Sequence, residues 1–308
     1  MFLALTLACV TDFSLEPIAA KNLGDDTGAP LTEDTGWDTA PADTEPPTSE
    51  REEEDLDLEK EEEIPPAPFD DCTETSDLVY LIDRGGERLW LFDPDTLSFE
   101  VLGALDCDTW SATPGSMGVS RSGEAFVRYS DESLHVVSLD DLSCEQADFQ
   151  APGSFGSFGM GYATDDADTW VDALYVADSS RLGRLDADGW SLDVLGPMPS
   201  QSELTGNSAG ELWAFLPLES PARLSQRDKE TGAEVSRINL SGFPSVRDID
   251  TFAFAYWGDA FWVFVRTYGM GSSTDVYRVG ASGRMEMVLE DIGFDVVGAG
   301  VSTCAPSE

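Results

Sequence analysis

Residues 79–103 read VYLIDRGGERLWLFDPDTLSFEVLG, and residues 174–196 read LYVADSSRLGRLDADGWSLDVLG. Aligned with a two-residue gap, Tyr80 meets Tyr175, Asp83 meets Asp178, Asp93 meets Asp186, and both stretches end on Val-Leu-Gly. Each alternates apolar and polar residues over strand-length runs broken by turn residues, the period of half-buried strands. Their starts lie 95 residues apart. Two periods of about 47 residues, made wholly of strands, are the sequence mark of a β-propeller.

Three further copies fill the pattern, at 124–149 (EAFVRYSDESLHVVSLDDLSCEQADF), 211–240 (ELWAFLPLESPARLSQRDKETGAEVSRINL) and 259–290 (DAFWVFVRTYGMGSSTDVYRVGASGRMEMVLE). One turn recurs as DPDTLS, DDLSCE, DADGWS, DKETGA and GASGRM, where a leading Asp can hold the turn through its side chain. A second recurs as Gly123-Glu124, Gly210-Glu211 and Gly258-Asp259. Innermost strands are expected before four of the copies, near 116–120, 158–163, 204–208 and 249–256. The copy starting at 78 lacks one, while VVGAGVS at 296–302 is spare. The pattern therefore predicts an all-β propeller of five four-stranded blades over 72–308, with 296–302 closing the ring and removing an open sheet edge. Six blades, one of them degenerate, are the alternative.

Five cysteines divide into Cys9 and a set of four: Cys72, Cys107, Cys144 and Cys304. An even set without a CxxC pair fits disulfides in an oxidising compartment. Ring closure brings Cys304 to Cys72, which leaves Cys107 for Cys144. His135 is the only histidine, which speaks against zinc.

The net charge is −43, from 60 acids against 17 bases. Residues 1–71 carry 21 acids and 3 bases, so −25 remains on the repeat region. A field of that sign repels phosphate backbones and anionic lipid, which excludes nucleic acid as a partner. Residues 10–71 are rich in Pro, Thr, Asp and Glu and hold little to bury. The expectation for them is a disordered acidic tether. Before it, LTLAC at 5–9 resembles the lipobox of bacterial lipoproteins, with Ala8 and Cys9 at the positions flanking cleavage and Thr6 where leucine is usual. The tract after it is similar to the Asp-, Thr- and Gly-rich stalks of bacterial envelope lipoproteins. That resemblance implies that residues 1–9 are a signal and lipobox remnant, that Cys9 carries lipid, and that the cell envelope, outer membrane or cell surface, is the address.

Familiar catalytic signatures are missing: the sequence holds no P-loop, HExxH or GxSxG motif. GSFGSFGMG at 153–161 reads as inner-strand packing, and His135 as a surface or internally satisfied histidine. TDDADTWVD at 164–172 and LDADG at 185–189 echo calcium loops without their spacing, and read as turns. Of the tryptophans, Trp90, Trp170, Trp190, Trp213, Trp257 and Trp262 are expected mainly between blades. Glu203, Asp248, Asp250 and Asp295 fall at or just before inner-strand starts, where propellers receive ligands. Converging there, they could hold a calcium ion or act as acid and base on a glycosidic bond. The leading expectation is a lipid-anchored, non-enzymatic monomer whose propeller binds a protein or glycan. The rival is a secreted glycan hydrolase using the mouth carboxylates.

Overall fold

The computed structural model describes residues 72, 77–85, 88–153, 155–166, 171–269 and 273–306. The expectations for Cys9 and for the tether at 10–71 lie outside these residues. The first sheet contains Val79–Asp83 (β1), Arg88–Asp93 (β2) and Ser98–Ala104 (β3). The second contains Pro114–Val119 (β4), Glu124–Tyr129 (β5), Leu134–Ser138 (β6) and Cys144–Gln146 (β7). Next come Gly159–Asp166 (β8), Val171–Ala177 (β9), Arg181–Asp186 (β10) and Ser191–Pro197 (β11). The fourth sheet holds Glu203–Gly206 (β12), Leu212–Leu216 (β13), Arg223–Arg227 (β14) and Glu234–Asn239 (β15). The fifth holds Ile249–Trp257 (β16), Ala260–Thr267 (β17), Asp275–Val279 (β18) and Met285–Leu289 (β19). Val296–Val301 (β20) then returns to β1, with Val79 opposite Val301 and Ile82 opposite Gly298. The result is five antiparallel four-stranded blades, the first ordered β20-β1-β2-β3.

Local chemistry explains why the chain turns where it does. In the outer hairpins the Asp side chains act as expected. Asp93 Oδ1 accepts from the amides of Asp95 and Thr96, Asp186 Oδ1 from Asp188, and Asp228 Oδ1 from Glu230 and Thr231. Each outer hairpin then passes through one residue with positive φ: Leu97, Leu142, Trp190, Gly232 or Gly283. The inner turns use Gly123, Gly210 and Gly258, all at positive φ, which glycine adopts without a Cβ penalty.

Burial follows the blade geometry. All five residues of β1 and of β13 are buried, whereas the outermost strands β3, β11 and β15 hold no buried residue. Five apolar clusters form, one between each pair of neighbouring blades. Phe92, Trp262 and Phe264 meet edge to face between the first and fifth blades, and Phe126 meets Tyr162 between the second and third. Trp213 and Trp262 are buried in such clusters, while Trp90, Trp190 and Trp257 pack at their margins. Trp170 lies outside the described residues.

At the centre the inner strands touch in the circular order β20, β4, β8, β12, β16. Their approach is backbone to backbone: a Cβ on Gly161 would lie 2.5 Å from the Leu204 carbonyl oxygen, and one on Gly298 would lie 2.9 Å from the Met117 nitrogen. Gly159 and Gly161 thus serve packing, as the glycine-rich stretch suggests. The ring is clasped covalently by Cys72–Cys304, and Cys107–Cys144 ties the entry of the second blade to its outer strand. Where β4 turns into β5, the Arg121 guanidinium grips both oxygens of Asp172, at 2.9 and 2.7 Å, and reaches Thr303 at 3.0 Å.

Candidate functional site at the channel mouth

Inner strands all begin on one face, and there the five blades surround a cavity of about 590 Å³. The first blade contributes Arg84 and Val297, the second Pro114 and Arg128, the third Ser157, the fourth Gln201 and Glu203, and the fifth Asp250 and Thr251. A volume of this order suits a small ligand or one end of a larger one. The lining is mostly polar or charged, which favours a hydrogen-bonding occupant over an apolar one.

Two ionisable side chains are buried in this wall. Glu203, the first residue of β12, is 4% exposed. Its Oε2 accepts from Ser116 Oγ of β4 at 2.7 Å, and Ser116 Oγ accepts in turn from the Met160 amide of β8 at 3.1 Å. One relay therefore joins three blades. Burial pushes the Glu203 carboxyl up to about 8, against the opposing pull of the Ser116 hydrogen bond and the Arg128 charge. At neutral pH the carboxyl is largely protonated.

Arg128, on β5, is 5% exposed. Its Nη1 donates to Ser157 Oγ at 2.8 Å, and its guanidinium lies 5.1 Å from the centre of the Phe158 ring. Burial lowers its pKa, partly countered by Glu132, Glu203 and Asp131. Among the described residues the Nε atom of Arg128 has no hydrogen-bond partner, and neither does Oγ1 of Thr251, a residue 7% exposed on the same wall. Buried polar atoms left without partners are uncommon, and each calls for an explanation.

The structure distributes the four sequence-selected acids unequally. Glu203 and Asp250 line the cavity. Asp250 Oδ2 is paired with Arg84 Nη1 at 3.3 Å and also with Arg266 Nη1. Arg266 Nε pairs with Asp295 Oδ1 at 3.0 Å, which draws Asp295 in beside Asp250. Asp248 ends the short 3-10 turn Val246–Asp248 and is exposed. The cations at Asp250 and Asp295 are thus arginines. Among the described residues these acids form no group of three whose ligand oxygens lie within 4.8 Å of one another. Elsewhere, Asp172 is held by Arg121, Asp165 by Arg184 and the Tyr175 hydroxyl, and Asp186 by its own turn.

His135 is buried, not on the surface. Its Nε2 lies 3.2 Å from Ser133 Oγ, and Tyr129 meets its ring edge-on. Together with Cys107 and Cys144 it forms the one group of potential metal ligands among the described residues.

Two aromatics missing from the sequence-based selection stand on the mouth face. Trp110 is 98% exposed, on the loop that runs into Pro114 at the cavity wall. Tyr268 is also exposed, and its amide donates to the Asp248 carbonyl at 2.6 Å. Neither lines the cavity itself, but large exposed aromatics on the face where a cavity opens are a recurrent means of stacking on ligand faces.

No protein-family model and no curated protein matches this chain. Among solved structures, a chain of the "Crystal Structure of Mitotic Checkpoint Complex" is similar over 74% of this chain and 82% of its own length, with 10% identity and a TM-score of 0.40. At that distance the likeness assigns neither activity nor partner.

Proposed function

We propose that this chain is a binding protein of the cell envelope, without catalytic activity, that seats the end of a glycan in the channel mouth. The observation that carries the reading is the cavity wall itself. All five blades contribute to it, and it includes two residues more than nine-tenths buried, Arg128 and Thr251, each with a polar atom that finds no partner among the described residues. Glu203 adds a neutral carboxyl that can donate and accept, as a sugar hydroxyl pair requires. Trp110 and Tyr268 supply exposed faces at the rim. In this reading lipid on Cys9 anchors the chain and residues 10–71 space the propeller from the membrane. The LTLAC stretch and the acidic composition support that part.

Screening the full chain on a glycan array, followed by calorimetric titration of each hit, tests the binding. Thr251→Val and Trp110→Ala should each weaken a genuine hit at least several-fold without lowering the melting temperature. Unaltered affinity in both variants, or the absence of any hit, would sink the reading. Palmitate labelling and intact mass of envelope-derived protein test the anchor. The rival hydrolase reading draws on the protonated Glu203, which has the character of a general acid. Its required partner carboxylate is compromised, because Asp250 is occupied by two arginines. Reducing-end release from a bound glycan, abolished by Glu203→Gln, would establish the hydrolase instead.

A further inference from the structure

On the second blade, the fold sets the chain's one histidine against a disulfide. His135 of β6 is 2% exposed, and Cys144 of β7 is its diagonal neighbour, since His135 pairs with Gln146 two residues further on. Hydrogen bonding fixes the tautomer. Ser133 Oγ gives its single proton to Asp131 Oδ1 at 2.6 Å, so it must accept from His135 Nε2 at 3.2 Å. The proton of the imidazole is on Nε2, and Nδ1 carries a lone pair. That lone pair faces Cys144 Sγ at 3.5 Å. A disulfide sulfur has no proton to donate, so this buried acceptor is aimed at a group that cannot satisfy it.

We propose that reduction of Cys107–Cys144 converts this cluster into a site for a thiophilic divalent cation of the zinc type, bound by Cys107 Sγ, Cys144 Sγ and His135 Nδ1. A dithiol reductant delivers two electrons, the S–S bond breaks, two thiols form, and the reductant becomes a cyclic disulfide. The cation then displaces both thiol protons. Part of the geometry such an ion needs is already in place, while the two sulfurs, bonded to each other in the disulfide, must separate to about 3.8 Å once it is reduced. Ligand bonds of about 2.3 Å to sulfur and about 2.0 Å to nitrogen, set tetrahedrally, hold those two atoms about 3.5 Å apart. Cys144 Sγ and His135 Nδ1 stand at 3.5 Å now, and the three donors all lie within 4.8 Å of one another. Cys107 and Cys144 are only half-buried, which leaves a solvent approach and room for water at a fourth position. Asp131 and Ser133 complete the arrangement as an outer shell, orienting the ring through Nε2 as metal-bound histidines require. A lone histidine speaks against zinc in the sequence, yet it suffices here because the fold supplies two sulfurs to it. The disulfide makes the site conditional: closed to metal when oxidised, open when reduced.

Titration of the full chain with Co2+, before and after anaerobic reduction with dithiothreitol removed by gel filtration, tests the proposal. The reduced chain should take up Co2+ with near-ultraviolet thiolate-to-cobalt absorption, and Zn2+ should bleach it. The oxidised chain should show neither. Reduced Cys144→Ser and His135→Ala should lose the signal above the background set by the other cysteines, while Ser133→Ala should weaken binding about 10–100-fold. Cys9, Cys72 and Cys304 persist in every variant and set the common background. If His135→Ala loses its circular dichroism on reduction, His135→Gln, which keeps a polar group of similar reach, takes its place. Equal cobalt spectra in the wild type and the variants, no uptake by the reduced chain, or uptake by the oxidised chain would each overturn the proposal.

Discussion

Replacing Glu203 with glutamine should stabilise the propeller at pH 8 while changing little at pH 5. The side chain is almost fully buried, and its carboxyl is raised from the ordinary value of 4.5 to about 8 by loss of hydration. Unfolding therefore releases a proton wherever the pH lies between those values. The folded chain binds the extra proton, so wild-type stability falls as pH rises from 4.5 and levels off above about 8. At 1.36 kcal/mol per pKa unit the loss by pH 8 is about 4 kcal/mol, and at pH 5 it is below about 1 kcal/mol. Glutamine keeps the shape and an acceptor for Ser116 Oγ but has nothing to ionise. The assay is urea unfolding of both proteins at half-unit steps from pH 5 to 8.5. Burial lowers the His135 pKa from its ordinary 6.5, a contribution of the opposite sense, but His135 is present in both proteins and cancels in the difference. The carboxylates lowered by turn hydrogen bonds, such as Asp93 and Asp131, titrate below this range. The difference curve should thus rise steadily towards pH 8. Parallel wild-type and variant profiles would show that Glu203 is ionised in the folded chain and would refute the reasoning.

Opening the ring clasp should cost more than opening the internal bridge. By loop-closure entropy, Cys72–Cys304, spanning 232 residues, is worth about 5 kcal/mol, and Cys107–Cys144, spanning 37, about 4 kcal/mol. Cys72→Ser/Cys304→Ser should therefore lower the urea midpoint further than Cys107→Ser/Cys144→Ser does, and the reverse order would contradict circular closure as the main restraint. Gly161→Ala would drive a methyl group against the Leu204 carbonyl, which belongs to a neighbouring inner strand and cannot rotate away. A loss of about 1–3 kcal/mol, read as a lower melting temperature, is expected from such overpacking.

The blades were legible because their signals are local. Period-two alternation and Asp-led turns act within a dozen residues, and the spare VVGAGVS strand had only one unpaired partner to close onto. The same topology decided the cysteine pairing. The mouth was less legible because residues meet there across blades. Arg128 sits in EAFVRY as one charge in an apolar run, and only the ring shows that its side chain is buried at the cavity wall. Asp248 and Asp250 have the same parity in the sequence, but the 3-10 turn and the register shift between Ile249 and Thr251 separate them, leaving Asp248 exposed and Asp250 on the wall. His135 meets Cys144 through the register of a three-residue strand, which no local pattern specifies. Trp110 left one usable trace, a large aromatic in a polar loop just before an inner strand.

Buried charge is handled differently at the β4–β5 turn and at the mouth cavity. Where β4 turns into β5, Arg121 and Asp172 satisfy each other bidentately and are joined by Thr164 and Thr303, a network consistent with stability alone. At the mouth, Arg128 is buried with a neutral serine as its hydrogen-bonded partner, and Glu203 is buried at the cost of its charge. Filling both positions with apolar side chains would remove these desolvation penalties, since buried charge is weak evidence for stability. A fold that closes its ring by backbone contact has no structural need of them. Buried charge with incomplete hydrogen bonding also occurs away from the mouth, at Arg227. What sets Arg128, Thr251 and Glu203 apart is that they share the wall of one open cavity, where a ligand could complete the hydrogen bonding.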